Sequence, residues 1–271
     1  AEQQAMAGFF RELDPYDHLI VVHTFPNAQD KVYPQLLGKD SALRGASLQN
    51  SWNAAHQRTL KWIESSTAAG QPWVVANDEQ NPASDGVPPD PGYEGHSGLA
   101  GEGKNTYDLH DIRRSCLWGT LMAGGAGVEY YFGYRLPQND LKCEDFRSRD
   151  RSWDYCHLAL DFFQREQIPF WQMACADGLV GNRSHNNSRY CLAKSGEVYL
   201  VYLPQGGAVE LNLEDAKGTF TVAWFNPRSG GELEPGTVAE VAGGKTVSLG
   251  LPPREKAEDW LAVVRRKLAA R

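Results

Sequence analysis

The chain has 271 residues, 41% hydrophobic and 11% aromatic, enough for one large packed domain or two of ordinary size and too apolar for a disordered segment. A formal net charge of −7 argues against a nucleic-acid or membrane-surface partner, and no run of about 18 apolar residues is present to span a bilayer. The cysteines are odd in number: Cys116, Cys143, Cys156, Cys175 and Cys191. None forms a CxxC pair or sits with His at zinc-like spacing, so no structural metal is expected, and a Cys143–Cys156 pairing stays open.

The first element is an amphipathic helix through Gln4, Ala5, Phe9, Phe10 and Leu13, stopped at Pro15. A chain opening inside a helix, with no initiator Met or signal segment, is expected to be cut from something longer. His18 to Thr24 is a nearly continuous apolar run between Asp-Pro and Phe-Pro, the pattern of a strand buried on both faces. A helical turn around Val32 to Leu37 leads to a second strand region, Gly45 to Asn50. Asn53 to Ala69 reads as a helix with Leu60 and Ile63 inward and Gly70 as its stop. Trp73 to Glu79 is a further short strand ending in polar groups.

Residues 80–107, rich in Gly, Pro, Asn and Asp, form a long loop of the kind that is functional or disordered. Asp108 caps a helix through Met122, Val128 to Tyr134 reads as a fourth strand, and a helix follows over about 150–164. Strand and helix thus alternate four times, predicting a parallel sheet. No Gly-rich phosphate loop follows any strand, and polar residues gather at one set of strand ends, which favours half of a (β/α)8 barrel over a doubly wound sheet. From about Tyr190 the pattern changes to alternating strands separated by Gly206-Gly207, Asn226-Pro227 and Gly230-Gly231, an all-β region of sandwich type. The expected fold class is therefore α/β plus all-β, with residues 1–187 the C-terminal half of a barrel and residues 188–271 a β-sandwich domain.

Within this plan Glu79 is the leading catalytic residue, because it ends a short buried strand where a carboxylate projects into a barrel mouth. Retaining glycoside cleavage needs two carboxyl groups about 5–5.5 Å apart, and a strand-end Glu meets the demand for one. The competing reading is a Glu that caps the next turn or binds an Arg. Asp78 is expected on the opposite side of the strand, in a structural role. His23 suits either a sugar hydroxyl or a backbone group. Gln49, Asn50 and Trp52 together suit a sugar-contacting rim, since amides read hydroxyls and indole stacks on pyranose faces; Trp52 also suits helix packing. Tyr131 stands at the fourth strand end. No HExxH pair and no GxSxG elbow occurs, which disfavours metal catalysis and an α/β-hydrolase esterase.

These residues carry a resemblance. Leu13 to His18 leading into Val21 to Thr24, then Gly45 to Trp52, Val74 to Gln80 and Arg113 to Tyr134, look like the fifth to eighth strand regions of clan A glycoside hydrolases, cellulase-like retaining enzymes. Val198 to Pro204 and Trp224 to Arg228 resemble an attached sandwich module labelled "putative collagen-binding domain of a collagenase". The resemblance implies a (β/α)8 barrel, a carbohydrate substrate, no cofactor, secretion or a periplasmic location, and Glu79 as nucleophile. It also implies an acid/base Glu after Asn on a fourth strand, which this sequence does not contain, so the chain alone is expected to be inactive. Two other functions stay open: a carbohydrate- or matrix-binding protein with a degenerate barrel, and an α/β protein with a new site in the 80–107 loop. Oligomeric state, sugar and linkage are not specified by any motif.

Overall fold

In the computed structural model, residues 2–80, 84–100, 106–139, 141 and 145–267 are described, so Cys143 and its pairing fall outside. The chain divides into two compact units, residues 1–121 with 125–149, and residues 122–124 with 150–271.

The first unit is built on a parallel sheet. Helix α1 (Glu2–Leu13) leads to β1 (Val21–Thr24), the short helix α2 (Gln29–Val32) to β2 (Gly45–Asn50), and α3 (Ala55–Ala68) to β3 (Val74–Gln80). Gly70, with φ +88°, adopts the left-handed conformation that ends α3. The two-residue strands β4 (Leu99–Ala100) and β5 (Thr106–Tyr107) pair antiparallel inside the long loop. The short helices α4 (Leu109–Asp111) and α5 (Trp118–Met122) flank a π-helical stretch over residues 112–117, and β6 (Gly127–Val128) completes the sheet in the order β1-β2-β3-β6. Asp108 forms the expected cap: its carboxylate accepts from the amides of His110 (2.7 Å) and Asp111 (3.0 Å), while Asp111 accepts from the Asp108 amide.

Two clusters hold this unit. Tyr33, Leu48, Trp62, Trp73 and Val75 pack between the sheet and α3, with the Tyr33 ring edge-on to Trp62 at 4.8 Å and to Trp73 at 5.8 Å. Such pairs add about 0.5–1.5 kcal/mol each beyond their burial. The second cluster, with Val87, Leu99, Tyr107, Ile112 and Leu136, folds the described part of the long loop. Arg149, fully buried, donates to the carbonyls of Val87 and Gln138 and lies 4.4 Å from the Phe132 ring. Gly86, at φ +62°, passes so close to Phe132 that any Cβ would fall 2.3 Å from its carbonyl carbon.

Two expectations are corrected here. The fourth strand is only Gly127–Val128 rather than a run to Tyr134. Beyond it the backbone is satisfied by the loop: the Tyr131 carbonyl accepts from Val87, and Ser84 accepts from Tyr134 and Arg135. Strand β1 is not buried on both faces, for Val21 is 44% exposed and β1 lies at a sheet edge. On α1 only Ala7 is buried, while Met6, Phe9, Phe10 and Leu13 are all more than half exposed.

The second unit carries helix α6 (Asp150–Arg165) and an antiparallel sheet. Its strands are β7 (Ala174–Cys175), β8 (Tyr190–Lys194), β9 (Val198–Leu203), β10 (Glu210–Asn212), β11 (Thr219–Phe225), β12 (Glu240–Ala242), β13 (Thr246–Ser248) and β14 (Trp260–Arg266). Six form one sheet in the order β12-β11-β14-β9-β8-β7, and β10 pairs with β13 separately. Residues from both sheets, among them Tyr199, Val201, Leu211, Phe220, Trp224, Val247 and Trp260, make one continuous core. On another side Phe162 of α6 packs against Phe225 with ring centres 4.5 Å apart.

Candidate active site at the ends of the parallel strands

Strands β1, β2 and β3 run parallel, so their C-terminal residues collect along one rim. The register of β2 against β3 is regular up to Leu48 opposite Asn77, then slips so that Gln49 faces Glu79. Asp78 is the extra residue of a bulge, and a bulge re-aims the side chains that follow it. This changes the expectation for Asp78. Instead of turning away from Glu79, its carboxylate shares the same neighbour: His23 Nδ1 lies 4.0 Å from Asp78 and His23 Nε2 lies 3.6 Å from Glu79.

The carboxylate of Glu79 is held from two directions. Gln49 Nε2 donates to its Oε1 at 2.6 Å, and the His23 imidazole faces its Oε2. Both carboxylates are only 22% exposed, whereas the His23 side chain is 44% exposed. Ser47 Oγ donates to Asp78 and lies 3.1 Å from His23 Nδ1. The charged group thus faces solvent on one side and rests on rigid strand ends on the other.

Beneath the rim a buried network fixes the scaffold. Trp62 Nε1 donates to Gln29 Oε1 at 3.0 Å, and Gln29 Nε2 donates to the Gln49 carbonyl at 2.8 Å and to Asn50 Oδ1 at 3.1 Å. Tyr33 lies against the carbonyls of Val22 and Ser47, and burial together with the charge of Asp78 pushes its phenol up to about 12 against a bond with Thr24. Gln80 donates to the Glu129 carbonyl at 2.8 Å, tying β3 to the segment after β6. At the rim the buried polar atoms Gln49 Oε1, Asn50 Nδ2 and Asp78 Oδ1 have no hydrogen-bond partner among the described residues. Such atoms are uncommon in folded proteins and mark hydrogen-bonding capacity left unused.

The structure therefore brings Glu79, His23 and Gln49 together. Asn50 is 2% exposed and joins them from below through Gln29. Trp52 is half-buried, packs against the loop cluster and stacks on Tyr107 at 5.8 Å with a 25° interplanar angle. The amide of Tyr131 lies 3.4 Å from Gln80 Oε1, so the predicted strand end is held here by a side chain and not by a ladder. Glu129, just after β6, is exposed. Ser47 and Gln29 are the additions that sequence patterning missed, and Asp78 was expected on the opposite side of the strand. The pairing of two adjacent carboxylates was the visible signal for Asp78, and Gln29 had none.

Comparison with known proteins bears on the fold. The family described as "Putative collagen-binding domain of a collagenase" matches residues 176–265, less than half of the chain. No curated protein matches. A glycoside hydrolase family 5 structure from Bacteroides vulgatus is similar, with TM-score 0.66 and 16% identity, covering 97% of this chain and 58% of that one. A second structure described as a glycoside hydrolase has TM-score 0.64 and 14% identity, covering 100% and 62%. An α-amylase of Anoxybacillus follows at TM-score 0.51 and 9% identity, covering 98% and 56%. The chain thus spans about three fifths of the length of the first two. At these identities the likeness concerns backbone architecture: the chain has a glycoside-hydrolase-like fold, an α/β unit with a parallel sheet joined to an antiparallel all-β unit.

Proposed function

We propose that this chain is the C-terminal part of a retaining glycosidase acting on a polysaccharide or oligosaccharide, with Glu79 as its nucleophile. The observation that carries the reading is the setting of Glu79: a strand-end carboxylate, held by Gln49 on one oxygen and faced by His23 on the other. A nucleophile must keep one oxygen aimed at the anomeric carbon, and the amide bond restricts the rotation that would lose that aim. In the reaction Glu79 forms a bond to the anomeric carbon as the glycosidic bond breaks, and a second carboxylic acid protonates the leaving oxygen. That second group then takes a proton from water, which displaces Glu79 and restores it. The chemistry requires no cofactor.

In this reading residues 1–187 are the C-terminal half of a (β/α)8 barrel of the clan A type, and residues 188–271 are a β-sandwich accessory domain. The family match begins somewhat earlier, at Ala176. The acid/base carboxylate lies in preceding barrel strands, and the open edge of β1 with its exposed apolar neighbours supports a sheet that continues there. A polymeric carbohydrate substrate places the enzyme outside the cytoplasm, secreted or periplasmic.

A second reading, a carbohydrate- or matrix-binding protein whose all-β unit does the work, is favoured by the match over residues 176–265. One experiment separates the two. In the longer protein carrying this chain, Glu79→Ala removes the nucleophile and leaves room for azide. The glycosidase reading expects hydrolysis to collapse and azide to restore turnover as a glycosyl azide of inverted configuration. No hydrolysis by the unsubstituted protein, with saturable glycan or collagen binding that Glu79→Ala leaves unchanged, would establish the second reading.

A further inference from the structure

We propose that the all-β unit holds a site for one zinc-class divalent cation, ligated by Cys175, Asp177 and His185. Cys175 ends the edge strand β7, Asp177 opens the helical turn over residues 177–180, and His185 lies on the loop before β8. Each offers one ligand atom, a thiol sulfur, a carboxylate oxygen and a ring nitrogen, and these atoms lie within 4.8 Å of one another. Around a tetrahedral ion with bonds of about 2.0–2.3 Å, ligand atoms stand roughly 3.3–3.8 Å apart. The group therefore needs only small side-chain movements to close on an ion.

The donors are placed by structure that an ion pair alone would not require. Asp177 is fully buried; its Oδ1 accepts from the Cys191 amide at 2.8 Å, and its Oδ2 lies 2.9 Å from His185 Nδ1. A ligating carboxylate is commonly held in this way by a second hydrogen bond. His185 has φ +52°, a backbone conformation uncommon outside glycine, and its loop is pinned by the buried Asn182. Asn182 donates to the carbonyls of Asn186 (2.8 Å) and Arg189 (2.6 Å) and accepts from the Asn186 amide at 3.1 Å. The strained histidine is thus turned onto the buried carboxylate beside a thiol.

The donor set selects the ion. One sulfur, one nitrogen and one oxygen suit zinc, cobalt or nickel, whereas magnesium and calcium prefer all-oxygen shells. The spacing Cys-x-Asp followed by His eight residues later matches no common zinc pattern, which is why no structural metal is expected from the sequence.

The test is titration of the full chain with cobalt(II), which reports both geometry and thiolate ligation by absorption. The expected result is one ion per chain with a thiolate-to-cobalt charge-transfer band, and zinc displacing it. Cys175→Ser should abolish the band although the other thiols remain, and His185→Asn, which tolerates the same backbone, should weaken binding at least about tenfold. No stoichiometric binding, or the same spectrum and affinity in both variants, would overturn the site.

Discussion

At the scale of single residues, the aim of Glu79 depends on neighbours rather than on its own rotamer. The 2.6 Å bond from Gln49 is charge-assisted and comes from a side chain that is itself 6% exposed and so has little freedom to leave. Gln49→Ala is expected to lower kcat/KM by about tenfold, or about 1.4 kcal/mol, mostly through kcat, while leaving the folded state intact. An effect confined to KM would mean that Gln49 serves only in substrate binding. The place of Glu79 at the rim was legible in the sequence because a strand end followed by a polar loop positions a carboxylate there. The partnership with Asp78 was not, because a bulge of one residue breaks the alternation on which sidedness is read. Gln29 was invisible for another reason: its role is created by Trp62 and Asn50, which lie far from it in sequence.

At the scale of elements, the all-β unit was the more readable because short apolar strands are separated by glycine-containing turns. Val198–Leu203, Thr219–Phe225 and Trp260–Arg266 fall on the segments read as strands, the first and last as continuous apolar runs and the second with alternating burial. The segment after Val128 has strand composition, but past the bond from Glu129 to Asn77 its backbone pairs with the loop, through Tyr131 with Val87 and through Tyr134 and Arg135 with Ser84. Helix α1 and strand β1 show the opposite mismatch: apolar patterns that nothing in the described residues covers. Met6, Phe10, Ile20, Val21 and Leu43 line an open groove of about 420 Å³ between them. Full burial of each large apolar side chain is worth about 1.5–3 kcal/mol, so this face is driven toward contact. The chain by itself is expected to self-associate, and Val21→Lys together with Phe10→Glu to return it to monomer in sedimentation experiments. A monodisperse monomer before substitution would contradict an unfinished sheet.

At the scale of the whole molecule, each unit has its own core, and the two carry different kinds of information. The parallel-sheet unit carries the rim carboxylates, and the all-β unit carries the family match and the proposed cation ligands. Similarity to glycoside hydrolases runs over nearly the entire chain, yet it reaches only about three fifths of their length. Among the described residues no helix is long and apolar enough to cross a membrane. The most direct test of the account is to trap the glycosyl-enzyme. The longer protein carrying this chain would be exposed to 2-deoxy-2-fluoro glycosides or cyclophellitol-type epoxides and mapped by peptide mass spectrometry. The account predicts inactivation with one sugar attached, on the peptide that contains Glu79, and its loss in Glu79→Gln. Inactivation with the label on any other carboxylate would contradict it.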